Sequence, residues 1–168
     1  DGWERRSVGH VVFDEKDVVA LHQSLMEGLL SQSAQHEDLK KQVETFKLDV
    51  SKADEIERFA KRIVATLEGR KLVLINNAGV ALVSGTFADT TLDEFEWLLN
   101  INLWGVVRMT KAFLPYMMER NEGHIVNVSS VFGLAGVMNQ SAYCTAKFGV
   151  RGFTECLRME LMGTDVRT

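Results

Sequence analysis

A chain of 168 residues with 46% hydrophobic and 25% charged side chains has the make-up of one soluble globular domain, spanning residues 1–168 around a single core. Its 19 basic against 23 acidic residues leave a net charge of -4, which excludes the basic footprint of a nucleic-acid-binding surface. No apolar run approaches the ~18 residues of a membrane span, and the N-terminus is charged where a secretory signal would be apolar, so a cytoplasmic protein without a membrane partner is expected.

The opening stretch Asp1 to His10 holds two separated glycines, Gly2 and Gly9, and no apolar strand. His10-Val11-Val12-Phe13-Asp14 is a short apolar run ending in an acid, which reads as a strand; Asp14 by itself is equally an N-cap or a surface residue. Apolar residues at 18, 21, 25 and 29 then follow a helical period from Lys16 to Leu30. A polar loop over 31–36 and a helical extension over 37–42 lead to a strand from Val43 to Leu48. Asp49-Val50-Ser51 precedes the next helix, and Ser51 with Asp54 three residues on is suited to cap it. That helix places Ile56, Phe59, Ala60, Ile63, Val64 and Leu67 on one stripe, so it should cover a face of a sheet.

Leu72 to Ile75 is a continuous apolar run suited to a strand buried on both faces. Asn76-Asn77-Ala78-Gly79 closes it with small residues that let backbone approach a ligand, although in isolation such a motif is as readily a turn. Thr91-Leu92-Asp93-Glu94 is a capping box opening one long helix, with Leu92, Phe95, Leu99, Val106, Met109 and Phe113 on one face. Asn102 falls on that stripe. A polar side chain buried there must be hydrogen-bonded, either to backbone or within a site. Pro115 is expected to disturb or end the helix.

His124 to Val128 reads as a buried strand that brings Ser130 to the carboxyl edge of the sheet, where open parallel sheets bind ligands. After the apolar, glycine-bearing loop over 131–140, the last helix runs from Ser141 to Met162. On it, Tyr143 and Lys147 put a phenol and an ammonium on one face. A phenol titrates near ~10 in isolation, and each unit by which a cation lowers that value is worth about 1.4 kcal/mol. Tyr143 is therefore a candidate proton donor and acceptor. Cys144 and Cys156 are too far apart along one helix to form a disulfide and fit a reducing compartment. The four histidines, His10, His22, His36 and His124, show no metal-ligand spacing, and no metal is expected.

Taken together, Asn76-Asn77-Ala78-Gly79, Ile101-Asn102-Leu103-Trp104-Gly105, the Ser130 strand and the Tyr143/Lys147 pair resemble the short-chain dehydrogenase/reductase family in order and spacing, from about Asp49 to the C-terminus. The resemblance implies an α/β fold, a Rossmann-like doubly wound parallel sheet, here incomplete with about four strands flanked by helices. It implies NAD or NADP as cofactor and hydride transfer between nicotinamide and an alcohol or carbonyl. It gives Tyr143 the role of general acid/base and Ser130 that of holding the substrate oxygen. Lys147 would bind the nicotinamide ribose and lower the Tyr143 pKa, and Asn102 would complete a water-mediated proton relay. Asp49 and Val50 would face the adenine, and Asn77, Ala78 and Gly79 would line the cofactor. Asp14, on what would be the family's second strand, would accept from the adenosine ribose and favour NAD. Homo-oligomers through the Asn102 and Tyr143 helices are implied as well.

Two departures stand beside the likeness. No Thr-Gly-x-x-x-Gly-x-Gly turn is present to admit the dinucleotide phosphates to a helix N-terminus. Thr164 to Thr168 resembles the entry to the family's next strand, and the segments that usually close the substrate pocket would follow it. Two classes of function therefore stay open. One is an oxidoreductase whose small-molecule substrate is a hydrophobic alcohol or ketone, as the loop Val131 to Met138 suggests. The other is a truncated or degenerate relative serving as a non-catalytic binding or dimerisation module.

Overall fold

The computed structural model describes residues 46–82 and 85–168. The expected strand ending at Asp14, the helix over 16–30 and the segment over 37–45 lie outside the described residues. The elements in order are α1 (Ala53–Thr66), β1 (Val73–Asn76), a 3-10 turn (Phe87–Asp89), α2 (Leu92–Asn102), α3 (Trp104–Arg120), β2 (Gly123–Asn127), a 3-10 turn (Val131–Gly133), α4 (Ser141–Glu160) and β3 (Val166–Arg167).

The strands pair in parallel in the order β1-β2-β3, with Val73 opposite His124, Asn76 opposite Asn127 and Gly123 opposite Val166. Parallel neighbours require crossovers, and the helices between the strands supply them. The α/β architecture with a parallel sheet is as expected, and three of its strands fall among the described residues; residues 46–48 form no strand.

Ala60 of α1, Leu74 of β1, Phe113 and Met117 of α3, Ile125 of β2, Leu157 of α4 and Val166 of β3 form one buried cluster. Each large side chain so buried contributes about 1.5–3 kcal/mol. All of these helices thus sit on the same face of the sheet. The opposite face shows Val73 at 52% and Ile75 at 62% exposure, so the expectation of a strand buried on both faces does not hold among the described residues. A continuous apolar run fits either arrangement, because it carries no alternation to choose a face.

The Thr91 capping box forms as read: Glu94 N–H donates to Thr91 Oγ1 (3.2 Å) and Thr91 N–H donates to Glu94 Oε2 (3.0 Å). The single long helix expected from it is instead two. Leu103 (φ -112°, ψ -59°) ends α2, donating to the Leu99 carbonyl, and opens α3, accepting from Val107 N–H. Pro115 does not end α3, which runs on to Arg120. It lies on an exposed surface within the last two turns, so the donor it lacks costs little there. The helix stops at Asn121, in the left-handed region at φ 49°. At α1 the N-cap is Lys52 and makes no side-chain cap. Ser51 spends its hydroxyl on Asp49 instead, and Asp54 pairs with Arg58 at 2.9 Å.

Candidate active site

The carboxyl end of β2 and the first turns of α4 are clasped together. Lys147 Nζ donates to the Val128 carbonyl (3.0 Å), and Ser129 Oγ donates to the Lys147 carbonyl (3.0 Å). Side chain and backbone of one lysine are thus bonded to two successive residues beyond the strand. Gly133 permits this closeness, since a Cβ there would lie 2.6 Å from Ser129 Oγ and 2.8 Å from the Lys147 carbonyl oxygen. Lys147 is 5% exposed, and burial pushes its ammonium pKa below the ordinary lysine value.

Tyr143 lies one turn earlier on the same face, with Lys147 Nζ 5.5 Å from its ring centroid. Phe132 meets the same ring edge-on, at 5.8 Å between centroids. The neighbouring Ser130 is extended and its Oγ accepts from Phe132 N–H (3.2 Å). Ser130, Tyr143 and Lys147 are therefore tied to one another through Phe132 and the Val128–Ser129 backbone.

Asn102 is fully buried, its Nδ2 donating to the Val80 carbonyl and its Oδ1 accepting from Val80 N–H, both at 2.7 Å. Of the two roles open to it from sequence, the side chain takes the backbone-bonding one. Its main-chain carbonyl falls at the α2/α3 interruption. The amide pair fixes the segment after β1, where Asn77, Ala78 and Gly79 lie at the sheet's carboxyl edge. Val80 and Leu98 pack with Ala142 and Ala146 of α4, with Tyr143 against the same cluster. Asn102 thereby joins the Tyr143 helix through apolar packing.

Asp49 Oδ1 accepts from Ser51 N–H (2.9 Å) and Ser51 Oγ (2.7 Å). Burial pushes the Asp49 carboxyl up, yet these bonds and the nearby Lys52 ammonium together hold it below the ordinary carboxylate range. Val50 stands next to Gly105, at the helix interruption. Asp14 lies outside the described residues.

Asn76 does more than close the strand as read from sequence, and Thr110, Asn127 and Thr154, which bond with it in one row, were not singled out there. Asn76 Nδ2 donates to Thr110 Oγ1 (3.1 Å) and to Asn127 Oδ1 (2.8 Å), and Asn127 Nδ2 donates to Thr154 Oγ1 (2.9 Å). This polar row crosses the core from α3 through both strands to α4. The signal available was an Asn at the end of each of two apolar runs, but only the register makes them partners. Among the described residues no group of three His, Cys, Asp or Glu is placed to hold a metal ion. No described helix is long and apolar enough to cross a membrane.

The donor set suits the nicotinamide-ribose end of a dinucleotide. An ammonium, a phenol and an aliphatic hydroxyl gather at the carboxyl edge of parallel strands, beside a small-residue segment that lets backbone approach. Fold and side chains together give an α/β domain with Ser130, Tyr143 and Lys147 at the carboxyl end of its parallel sheet. The family described as short chain dehydrogenase matches residues 7–168, and the chain belongs to it.

Relatives agree. The chain is 44% identical over 121 residues to SadH, named as an oxidoreductase, of Mycobacterium tuberculosis, covering 72% of this chain and 43% of that protein. It is 40% identical over 123 residues to the mitochondrial D-beta-hydroxybutyrate dehydrogenase of Bos taurus, covering 70% of this chain and 34% of the relative. It thus spans less than half the length of these two relatives. Among solved structures, ElxO with NADP bound superposes with a TM-score of 0.75 at 28% identity, covering 92% of this chain and 57% of that one. A metagenomic short-chain oxidoreductase in complex with NADP gives 0.69 at 35% identity, with 74% and 55% covered.

Proposed function

We propose that this chain carries the catalytic residues of an NAD(P)-dependent oxidoreductase interconverting an alcohol and a carbonyl compound. The observation that carries the reading is the buried Lys147 ammonium, clasped to the end of β2 and 5.5 Å from the Tyr143 ring. The bound nicotinamide would supply or accept the hydride at carbon. Tyr143 exchanges the proton at the substrate oxygen, giving it during reduction and taking it during oxidation. Ser130 holds that oxygen through its hydroxyl. Lys147 sets its positive charge beside the Tyr143 ring and presents donors to the ribose. The Asn102 carbonyl, at the helix interruption, receives the water that links Lys147 to solvent.

Asp49 and Val50 bound the adenine end, and Asn77, Ala78 and Gly79 line the middle. Asp14 favours NAD, whereas two related structures hold NADP. The substrate is a hydrophobic alcohol or ketone, a reading supported by the exposed apolar residues Val131, Leu134, Val137 and Met138 in the loop that follows Ser130. Exposed Trp104 and Phe148, on the Asn102 and Tyr143 sides of the fold, support a homo-oligomer. Two free cysteines, Cys144 and Cys156, support a cytoplasmic setting.

The test is Tyr143→Phe, assayed with NADH and with NADPH against a panel of apolar ketones. Turnover is expected to fall at least about 100-fold, with the melting temperature unchanged because only one hydroxyl is removed. Undiminished turnover in this variant would overturn the mechanism.

A further inference from the structure

The residues on either side of the α2/α3 interruption make a set of bonds that the proposed chemistry does not use. A single nitrogen of Arg108, Nη1, donates to Asn100 Oδ1 (2.7 Å), to the Ser51 carbonyl (3.1 Å) and, more weakly, to the Asn100 carbonyl (3.4 Å). Asn100 Nδ2 reaches the same Ser51 carbonyl at 3.4 Å. The guanidinium lies over the Trp104 ring, 5.7 Å from its centroid. From the other side, Val50 Cγ2 approaches so closely that a Cβ on Gly105 would lie 3.0 Å from it.

Each contact has a physical reason to be there. Stopping α2 at Asn102 and restarting at Trp104 removes intrahelical donors from the carbonyls preceding the interruption. Arg108, one turn further on, supplies a charged donor to one of them. Charge-assisted bonds are the stronger kind, and this one also captures a carbonyl from the loop before α1, 57 residues away in sequence. Gly105 removes the side chain that would hold that loop off.

We propose that Arg108 is a positioning residue. It ties the turn Asp49-Val50-Ser51 to the helix interruption that presents Asn102, so that the adenine end and the proton-relay end of the site keep a fixed separation. The proposal rests on the oxidoreductase reading above for what those two ends bind, but the tether itself is a property of this chain without cofactor.

Two measurements on the full chain test it. In hydrogen exchange without nucleotide, Arg108→Met is expected to speed exchange at the Ser51 and Lys52 amides and at Val106 and Val107 together, while Arg108→Lys, which can still place one nitrogen at the hub, lies between. Acceleration at only one of the two segments, or at neither, overturns the tether. In fluorescence titrations, Arg108→Met is expected to weaken NADH about fivefold or more and leave reduced nicotinamide mononucleotide, which lacks the adenosine half, within about twofold of wild type. A merely structural role would weaken both alike, and equal weakening overturns the positioning role. Should Tyr143→Phe keep its turnover while these two results hold, the proton-transfer reading fails and the tether stands. If wild type binds neither nucleotide, the oxidoreductase reading and the positioning role fail together, and hydrogen exchange still decides the tether.

Discussion

A helical lysine buried against the end of a strand is an unusual choice unless its charge is used, because desolvation disfavours the ammonium. Lys147 keeps a carbonyl partner at 3.0 Å, yet burial still holds its pKa below the ordinary 10.5. Below the lowered value both folded and unfolded chains are charged there, and the folded state bears the desolvation penalty in full. Between that value and 10.5 the unfolded chain binds more protons than the folded one, so stability rises with pH. Wild type is therefore expected to gain on Lys147→Met as pH climbs toward 10.5, in urea unfolding followed from about pH 7.5 upward. A difference that stays flat across that range would mean the ammonium is not desolvated. The same variant should lower both cofactor affinity and turnover, a pairing that a surface lysine would not show.

At the scale of elements, catalytic geometry depends on how closely α4 can lie against the turn after β2. Gly133 sets that distance, with Ser129 Oγ and the Lys147 backbone both inside 3.0 Å of where a Cβ would stand. Gly133→Ala must push helix and turn apart, since the obstructing carbonyl belongs to a helix and cannot swing away. Overpacking of this kind costs about 1–3 kcal/mol, and the displacement falls on the backbone of Lys147 itself. Turnover is expected to drop much further than melting temperature, measured side by side on the same preparation. If activity and stability decline in proportion, the turn does not set the geometry of the site. What the sequence makes legible here is local: the i, i+4 spacing of Tyr143 and Lys147, the Thr91 box and the strand leading to Ser130 each follow from a few neighbouring residues. The clasp by Ser129, the Asn76–Asn127 pairing and the division of one apolar stripe into α2 and α3 depend on partners about 20 to 60 residues away. No periodicity reports those. Pro115 misleads for a related reason, because its cost depends on exposure and on nearness to the helix end.

At the scale of the whole molecule, the described sheet is lopsided. Parallel sheets are ordinarily covered on both faces, yet α1, α3 and α4, which share a core cluster with the strands, lie on one. On the other, Val73, Ile75, Val126 and Val128 are 52%, 62%, 37% and 38% exposed. Three of these side chains on adjacent parallel strands, with Val128 just beyond the second strand, form a patch of the kind that drives association. The exposed Trp104 and Phe148 offer a second apolar surface, on the helical side. The two can be separated by substitution. Replacing Ile75 and Val126 together with Thr keeps β-branched shape in the strands while making the sheet face polar. Replacing Trp104 and Phe148 with Glu charges the helical surface. If the sheet face governs self-association of this chain, the Thr pair should lower the sedimentation coefficient at high concentration and reduce binding of an apolar dye, and the Glu pair should do neither. If the helices carry the homo-oligomer, as proposed above, the Glu pair should yield a monomer and the Thr pair should reduce only dye binding. Dye binding is decisive for the sheet face in either case, because a covered face would leave it unchanged.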